Sequence, residues 1–168
     1  MIKREIMGRY QGSFLGLFWS FVTPVLMLGI YTFVFSIVFK SHWTEGTGNK
    51  FEFAMLLFTG LIIFNLFSEC ISRAPVLVVS NVNYVKKVVF PLEILPVVSL
   101  GSAAFHAAIN VIVLLMFLIA TGHSFTWHIL WLPLIFFPLL LLVLGFSWFL
   151  ASLGVFIRDI GQFIGLIL

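Results

Sequence analysis

Charge is what this 168-residue chain has least of: Asp, Glu, Lys and Arg together make up 9% of it. There is one cysteine, Cys70, which excludes an internal disulfide and a cysteine-rich metal site. There is one aspartate, Asp159, and no close pair of carboxylates of the kind that acid/base catalysis uses. A glycine-rich phosphate loop is missing too, since the Gly46–Lys50 segment lacks the required spacing. The chain carries no His/Glu metal signature, no internal repeat and no low-complexity linker. These absences point away from covalent chemistry and from a cofactor or metal held by this chain.

What is there instead is apolar. The hydrophobic fraction is 62% and the mean hydropathy +1.20, more than a soluble domain of this size can hide. A helix needs roughly 20 apolar residues to cross a bilayer. Four stretches qualify: about Phe21 to Phe39, Phe53 to Ile71, Val97 to Ala120, and Ile129 to Ile157. A fifth apolar run, Gly161 to Leu168, is too short to cross. The expected fold class is therefore all-α: a polytopic helical membrane domain over residues 1–168, with four complete spans and the start of a fifth. The expectation is also that the chain is the front part of a longer protein.

The basic residues give the sidedness. Lys3, Arg4, Arg9, Arg73, Lys86, Lys87 and Arg158 would share one side, and only Lys40 and Lys50 the other. That bias predicts a cytoplasmic N-terminus and a cytoplasmic Ser80–Pro96 loop. The first apolar stretch is too long, and lacks the small-residue site, for a cleaved signal peptide. The net charge of +3 suits anionic headgroups and requires no nucleic acid.

Between and within the spans the pattern is more detailed. Ile2, Ile6, Tyr10, Phe14 and Phe18 recur every four residues, with Lys3, Arg4 and Arg9 off that stripe. This predicts an amphipathic N-terminal helix lying in the membrane interface. Gly8, Gly12 and Gly16 form a small-residue ridge suited to close helix approach. Glu69 and Arg73 stand four apart in the favourable order and are expected to pair, with Pro75 bending or ending the helix after them. Ser99, Ser102, His106 and Asn110 form a polar stripe, read as hydrogen-bonding glue between helices or as a substrate path. Pro133 and Pro138 are expected to kink the fourth span. Ser80 or Asn81 would cap a short helix ending before Pro91, carrying Tyr84, Val85, Val88 and Val89 among Lys86 and Lys87. Such a helix suits docking on a cytoplasmic partner; the plainer reading is a basic topology loop.

Three blocks together resemble a known family. Arg9-Tyr-Gln-Gly-Ser-Phe-Leu-Gly-Leu-Phe-Trp19, with Pro24 and Tyr31-Thr-Phe-Val-Phe-Ser36, is similar to the opening of the polysaccharide-export permeases. These are the membrane subunits of type-2 ABC transporters for O-antigen, capsule or teichoic acid. Asn83 to Pro96 resembles their coupling loop, and Phe156-Ile-Arg-Asp-Ile160 the motif closing their fourth span. The resemblance implies six spans, two permease copies and a separate pair of cytoplasmic ABC ATPase subunits that bind the ATP. It implies a lipid-linked glycan as substrate and the bacterial inner membrane as location.

By the same resemblance Asn83, Tyr84, Lys86, Lys87 and Phe90 would couple to the ATPase. Residues around Arg9 to Trp19, Tyr10 among them, would form a gate helix near the pore entrance. Arg4 and Arg9 are candidates for attracting an entering pyrophosphate head, their plainer reading being topology and interface charges. Arg158 and Asp159 would be structural and no residue catalytic; Glu69 and Arg73 are structural by their own spacing. The alternatives are a type-2 permease for lipids or drugs, a membrane-embedded enzyme of glycan assembly, and a channel or structural subunit. A co-purifying ATPase separates the permeases from the last two.

Overall fold

The structure is a computed structural model that describes residues 1–9, 16–34, 50–81, 91–121 and 131–168. Among the described residues every regular element is a helix: α1 (Ile2–Arg9), α2 (Trp19–Tyr31), α3 (Lys50–Ser80), α4 (Ile94–Ala120), α5 (Leu132–Phe156) and α6 (Ile160–Ile167). Three of them are long and apolar enough to cross a membrane, over Ala54–Ser80, Ile94–Ala120 and Leu132–Phe156. The first expected span is present as a shorter apolar helix, Trp19–Val34, within the described residues. Leu134, Ile135, Phe137, Leu141, Leu142 and Phe149 of α5 are all exposed, an arrangement that makes sense with lipid as the solvent.

The α3 helix has 31 residues, far more than the Phe53–Ile71 stretch promised. At about 1.5 Å per residue it is roughly 46 Å long, the thickness of a bilayer with both headgroup layers. Pro75 does not end it. A proline removes one intrahelical hydrogen bond, but packing against a neighbouring helix can hold the backbone on course, and Pro75 has such a neighbour in Gly154. Pro133 does not kink α5 either; it sits in the first turn, where a missing N–H is harmless, and Pro138 alone lies inside the helix.

The chain forms two compact units. The first comprises residues 1–6, 66–104 and 127–168. Its interior is lined by Leu66, Cys70 and Ala74 of α3, Leu95, Ser99 and Ser102 of α4, and a stripe of α5, Val143, Ser147, Ala151 and Gly154. Apart from Val143 that α5 stripe is made of small residues, which let backbones approach where no hydrophobic force drives helices together in lipid. The second unit comprises residues 7–65 and 105–126. Its interior holds Leu28 of α2, Ala54, Met55, Phe58 and Ile62 of α3, and Ala107, Ile109, Val113 and Leu114 of α4.

The N-terminal stripe is interrupted. Gly16 has a φ of +50°, a left-handed conformation that glycine adopts without strain. It opens a 3-10 turn, Gly16–Phe18, that runs directly into α2. Phe18 and Trp19 therefore belong to the entry of α2 and not to the amphipathic helix. Nothing lies within 4 Å of a Cβ built on Gly8 or Gly16, so the described glycines of the expected ridge make no close contact inside this chain. Gly12, Tyr10 and Phe14 lie outside the described residues.

Candidate functional site

The polar groups of the first unit gather where α1 meets the C-terminal end of α3. One Nη of Arg73 lies 3.0 Å from a Glu5 carboxylate oxygen and 3.9 Å from one of Glu69. The expected Glu69–Arg73 pair is present, but the nearer acid comes from α1. Glu5 precedes Ile6, the buried residue of that helix, so docking Ile6 carries the carboxylate to Arg73. The docking itself is close: a Cβ built on Gly101 of α4 would stand 3.0 Å from Cγ1 of Ile2. No sequence pattern signals Glu5, because its partner is 68 residues away.

Beside this pair opens a cleft of about 690 Å³. Arg4, Glu5, Arg73, Ser80 and Asn81 give it a polar side, and Val76, Leu77, Leu95 and Val98 an apolar one. Arg4 is exposed and has no ion pair with a described residue. Side chains of Ser80 and Asn81 are committed to the end of α3. The Asn81 amide donates to the carbonyl of Leu77 at 2.8 Å and to the Ser80 hydroxyl at 3.3 Å, and that hydroxyl donates to Leu77 at 3.2 Å. Ser80 and Asn81 thus close the helix before them by covering an orphan carbonyl; the short helix they were expected to start lies outside the described residues.

Two further contacts fix the framework around the cleft. A Cβ on Gly154 would clash with the carbonyl of Pro75 and stand 2.6 Å from its Cα, so α5 and α3 touch backbone to backbone there. A Cβ on Gly161 of α6 would meet Pro75 and Val76 at ordinary contact distance. The indole N–H of Trp148 donates to the main-chain carbonyl of Glu93 at 3.0 Å, joining α5 to the turn before α4.

The other expected residues fall as follows. Arg9 is exposed and does not line the cleft, so Arg4 is brought together with Arg73 and not with Arg9. Arg158 and Asp159 occupy the turn between α5 and α6, both exposed and without an ion pair to a described residue. The Asp159 carbonyl accepts from the N–H groups of Gln162 and Phe163, so it is the main chain that starts α6. Ser99 and Ser102 are buried, yet their hydroxyls have no hydrogen-bond partner among the described residues. They act here as small packing residues and not as the polar glue their spacing suggested. Tyr10, Asn83, Tyr84, Lys86, Lys87 and Phe90 lie outside the described residues.

Chemically, a cleft with two guanidinium groups and one apolar wall can hold an anion attached to a hydrocarbon. Among the described residues no three His, Cys, Asp or Glu side chains converge as a metal site would require.

Comparison with known proteins bears on what such a framework belongs to. The profile of the ABC-2 type transporters matches residues 1–168. The O-antigen export system permease protein RfbA of Myxococcus xanthus is 27% identical over 160 residues, covering 95% of this chain and 59% of its own length. The protein of the same name from Klebsiella pneumoniae is 28% identical over 167 residues, 98% of this chain and 61% of its own length. The chain thus spans about three fifths of the curated relatives it matches.

Proposed function

The chain belongs to the ABC-2 type transporter family, and from that membership we propose that its protein is the permease subunit of an ABC transporter. Its substrate in this reading is a polyprenyl-pyrophosphate-linked polysaccharide, O-antigen first, exported across the bacterial inner membrane. The observation that carries the reading is the alignment of O-antigen export permeases along 95% and 98% of the chain. The long apolar helices support a multi-pass membrane protein.

In this reading the chain hydrolyses nothing and binds no cofactor. ATP is bound by a separate cytoplasmic ATPase subunit, and a second permease copy completes the path for the lipid-linked glycan. The N-terminus is cytoplasmic, α1 lies in the interface, α2 to α5 form four spans, and α6 begins a fifth. Asn83, Tyr84, Lys86, Lys87 and Phe90 then dock on the ATPase, directly beyond the capped end of α3. Closure of the ATPase pushes on that loop, and α3 receives the push. The Arg73–Glu5 pair carries it to α1, whose Arg4 and Arg9, with Tyr10 beyond, attract the pyrophosphate head. Arg158 and Asp159 serve the corner that closes the fourth span.

Two experiments test this. Affinity purification of the protein from its own cells should bring down a stoichiometric chain with a Walker phosphate loop; its reproducible absence from a folded permease defeats the reading. Reversing charge with Lys86→Glu and Lys87→Glu should leave membrane insertion intact and stop surface glycan from appearing. Normal surface glycan in that variant removes the coupling role of the loop.

A further inference from the structure

The transport reading uses Arg4 and the Arg73–Glu5 pair one by one; the cleft that joins them also has an apolar wall, and that combination concerns the membrane itself. Its lining carries Arg4, Arg73 and Met1 with its N-terminal ammonium against Glu5 alone, a net positive charge. Arg73 meets both its carboxylates through a single Nη, so its remaining N–H groups are not engaged by a described residue. Arg4 has no ion pair with a described residue at all. The amide of Asn81 and the hydroxyl of Ser80 are already spent on α3, so the donors on offer are the two arginines and the N-terminal ammonium of Met1. Val76, Leu77, Leu95 and Val98 supply an apolar wall alongside them.

The depth fits as well. Arg73 lies seven residues before Ser80, roughly 10 Å deeper along the helix axis. One headgroup layer is about 5–8 Å thick, so with Ser80 at the outer surface Arg73 stands just past the boundary between headgroups and hydrocarbon. An anion reached by both arginines would then lie near that boundary, where a lipid phosphate meets its acyl chains, with the apolar wall alongside the hydrocarbon.

We infer that this cleft binds the phosphodiester head of an anionic bilayer lipid, bridging Arg4 of α1 and Arg73 of α3, with an acyl chain along Val76, Leu77, Leu95 and Val98. A phosphodiester charge offsets part of the positive charge of the lining. The bound lipid is a second clasp on α1 beside the Glu5–Arg73 pair. It makes docking of the N-terminal helix depend on the composition of the membrane, whatever the substrate exported.

The test uses the protein in nanodiscs of phosphatidylcholine, with or without phosphatidylglycerol, and reads retained lipid by native mass spectrometry. Phosphatidylglycerol should be retained over phosphatidylcholine. Arg4→Gln should cut that retention about five-fold, the worth of one charge-assisted contact near a surface, and Glu5→Gln should raise it by removing the competing carboxylate. A second readout is hydrogen exchange in α1. The Glu5→Gln variant should exchange faster than wild type in phosphatidylcholine alone and recover when phosphatidylglycerol is added.

Equal retention of the two lipids, or shifts of the same sign in both variants, overturns the proposal. Adding polyprenyl pyrophosphate separates the sources of the phosphate. If phosphatidylglycerol stays bound, the site belongs to the bilayer lipid as proposed; if it is displaced, the bilayer assignment is wrong and the site belongs to the substrate carrier. Displacement by inorganic pyrophosphate alone shows that no hydrocarbon is recognised and overturns the amphiphile assignment.

Discussion

The two compact units of this chain solve the same packing problem differently. In the first, polar groups reach from one element to another: Glu5 to Arg73 and Trp148 to Glu93. In the second, the hydroxyls of Thr32 and Thr59 turn back on their own helices, donating to Leu28 at 2.7 Å and to Met55 at 2.8 Å. The first unit also contains the backbone contact of Gly154 with Pro75, which leaves no room for a side chain. In lipid the hydrophobic effect does not choose between helix neighbours, so such contacts carry the choice. The first unit has such contacts among its described residues, and it is the one that holds the cleft.

That contrast can be broken or sharpened by substitution, each variant read by thermal unfolding in detergent. The largest effect is expected at Gly154. Gly154→Leu should abolish folded yield, and Gly154→Ala should cost roughly 1–3 kcal/mol through overpacking against the Pro75 backbone. Gly145 on the same helix faces open space. Gly145→Ala should be neutral or stabilising by up to about 1 kcal/mol, the helix-propensity gain. Similar losses at both positions would mean that the close contact decides nothing.

Next comes Arg73→Ala, which leaves Glu5 and Glu69 without their shared cation. With side chains 39% and 30% exposed, Arg73 and Glu5 should couple by about 1 kcal/mol in a double-mutant cycle. The Glu69–Arg73 cycle, at 3.9 Å, should give about half of that. Reversal of this order would put the structural weight back within α3. Trp148→Phe should cost about 1 kcal/mol by losing one hydrogen bond to a carbonyl. Smallest is Thr59→Val in the second unit, expected within about 0.5 kcal/mol because its bond is internal to the helix. A loss there as large as that of Trp148→Phe would erase the contrast between the units.

Much of the fold could be read along the chain. Hydropathy located the long helices, and the i,i+4 spacing found Glu69 with Arg73. The failures have a common cause. Pro75 reads locally as a bend or an end because proline breaks a hydrogen bond, whereas the helix does not end there and a glycine 79 residues later packs against its backbone. The amide of Asn81 closes the helix behind it, a role that the forward reading of Ser80 or Asn81 as a cap does not contain; the helix they would start lies outside the described residues. The polar stripe of Ser99, Ser102, His106 and Asn110 suggests glue or a substrate path, whereas Ser99 and Ser102 are buried with no hydrogen-bond partner among the described residues, which makes small size the property that matters there. Of the candidate site, Arg4 and Arg73 were each singled out, but nothing joined them until α1 docked.

The sequence by itself determined that the chain is helical, that lipid surrounds most of it, and that it matches the ABC-2 transporters along its whole length. Those properties rest on composition, period and local order, which are carried by neighbours in sequence. Only the tertiary structure decided that Glu5 is the nearer partner of Arg73, that Gly154 must be glycine, and that Arg4 and Arg73 share one cleft. Each of these joins residues more than 65 positions apart, as the 68-residue separation of Glu5 and Arg73 illustrates. Such partners are set by which surfaces can approach closely, and a one-dimensional pattern does not encode that approach.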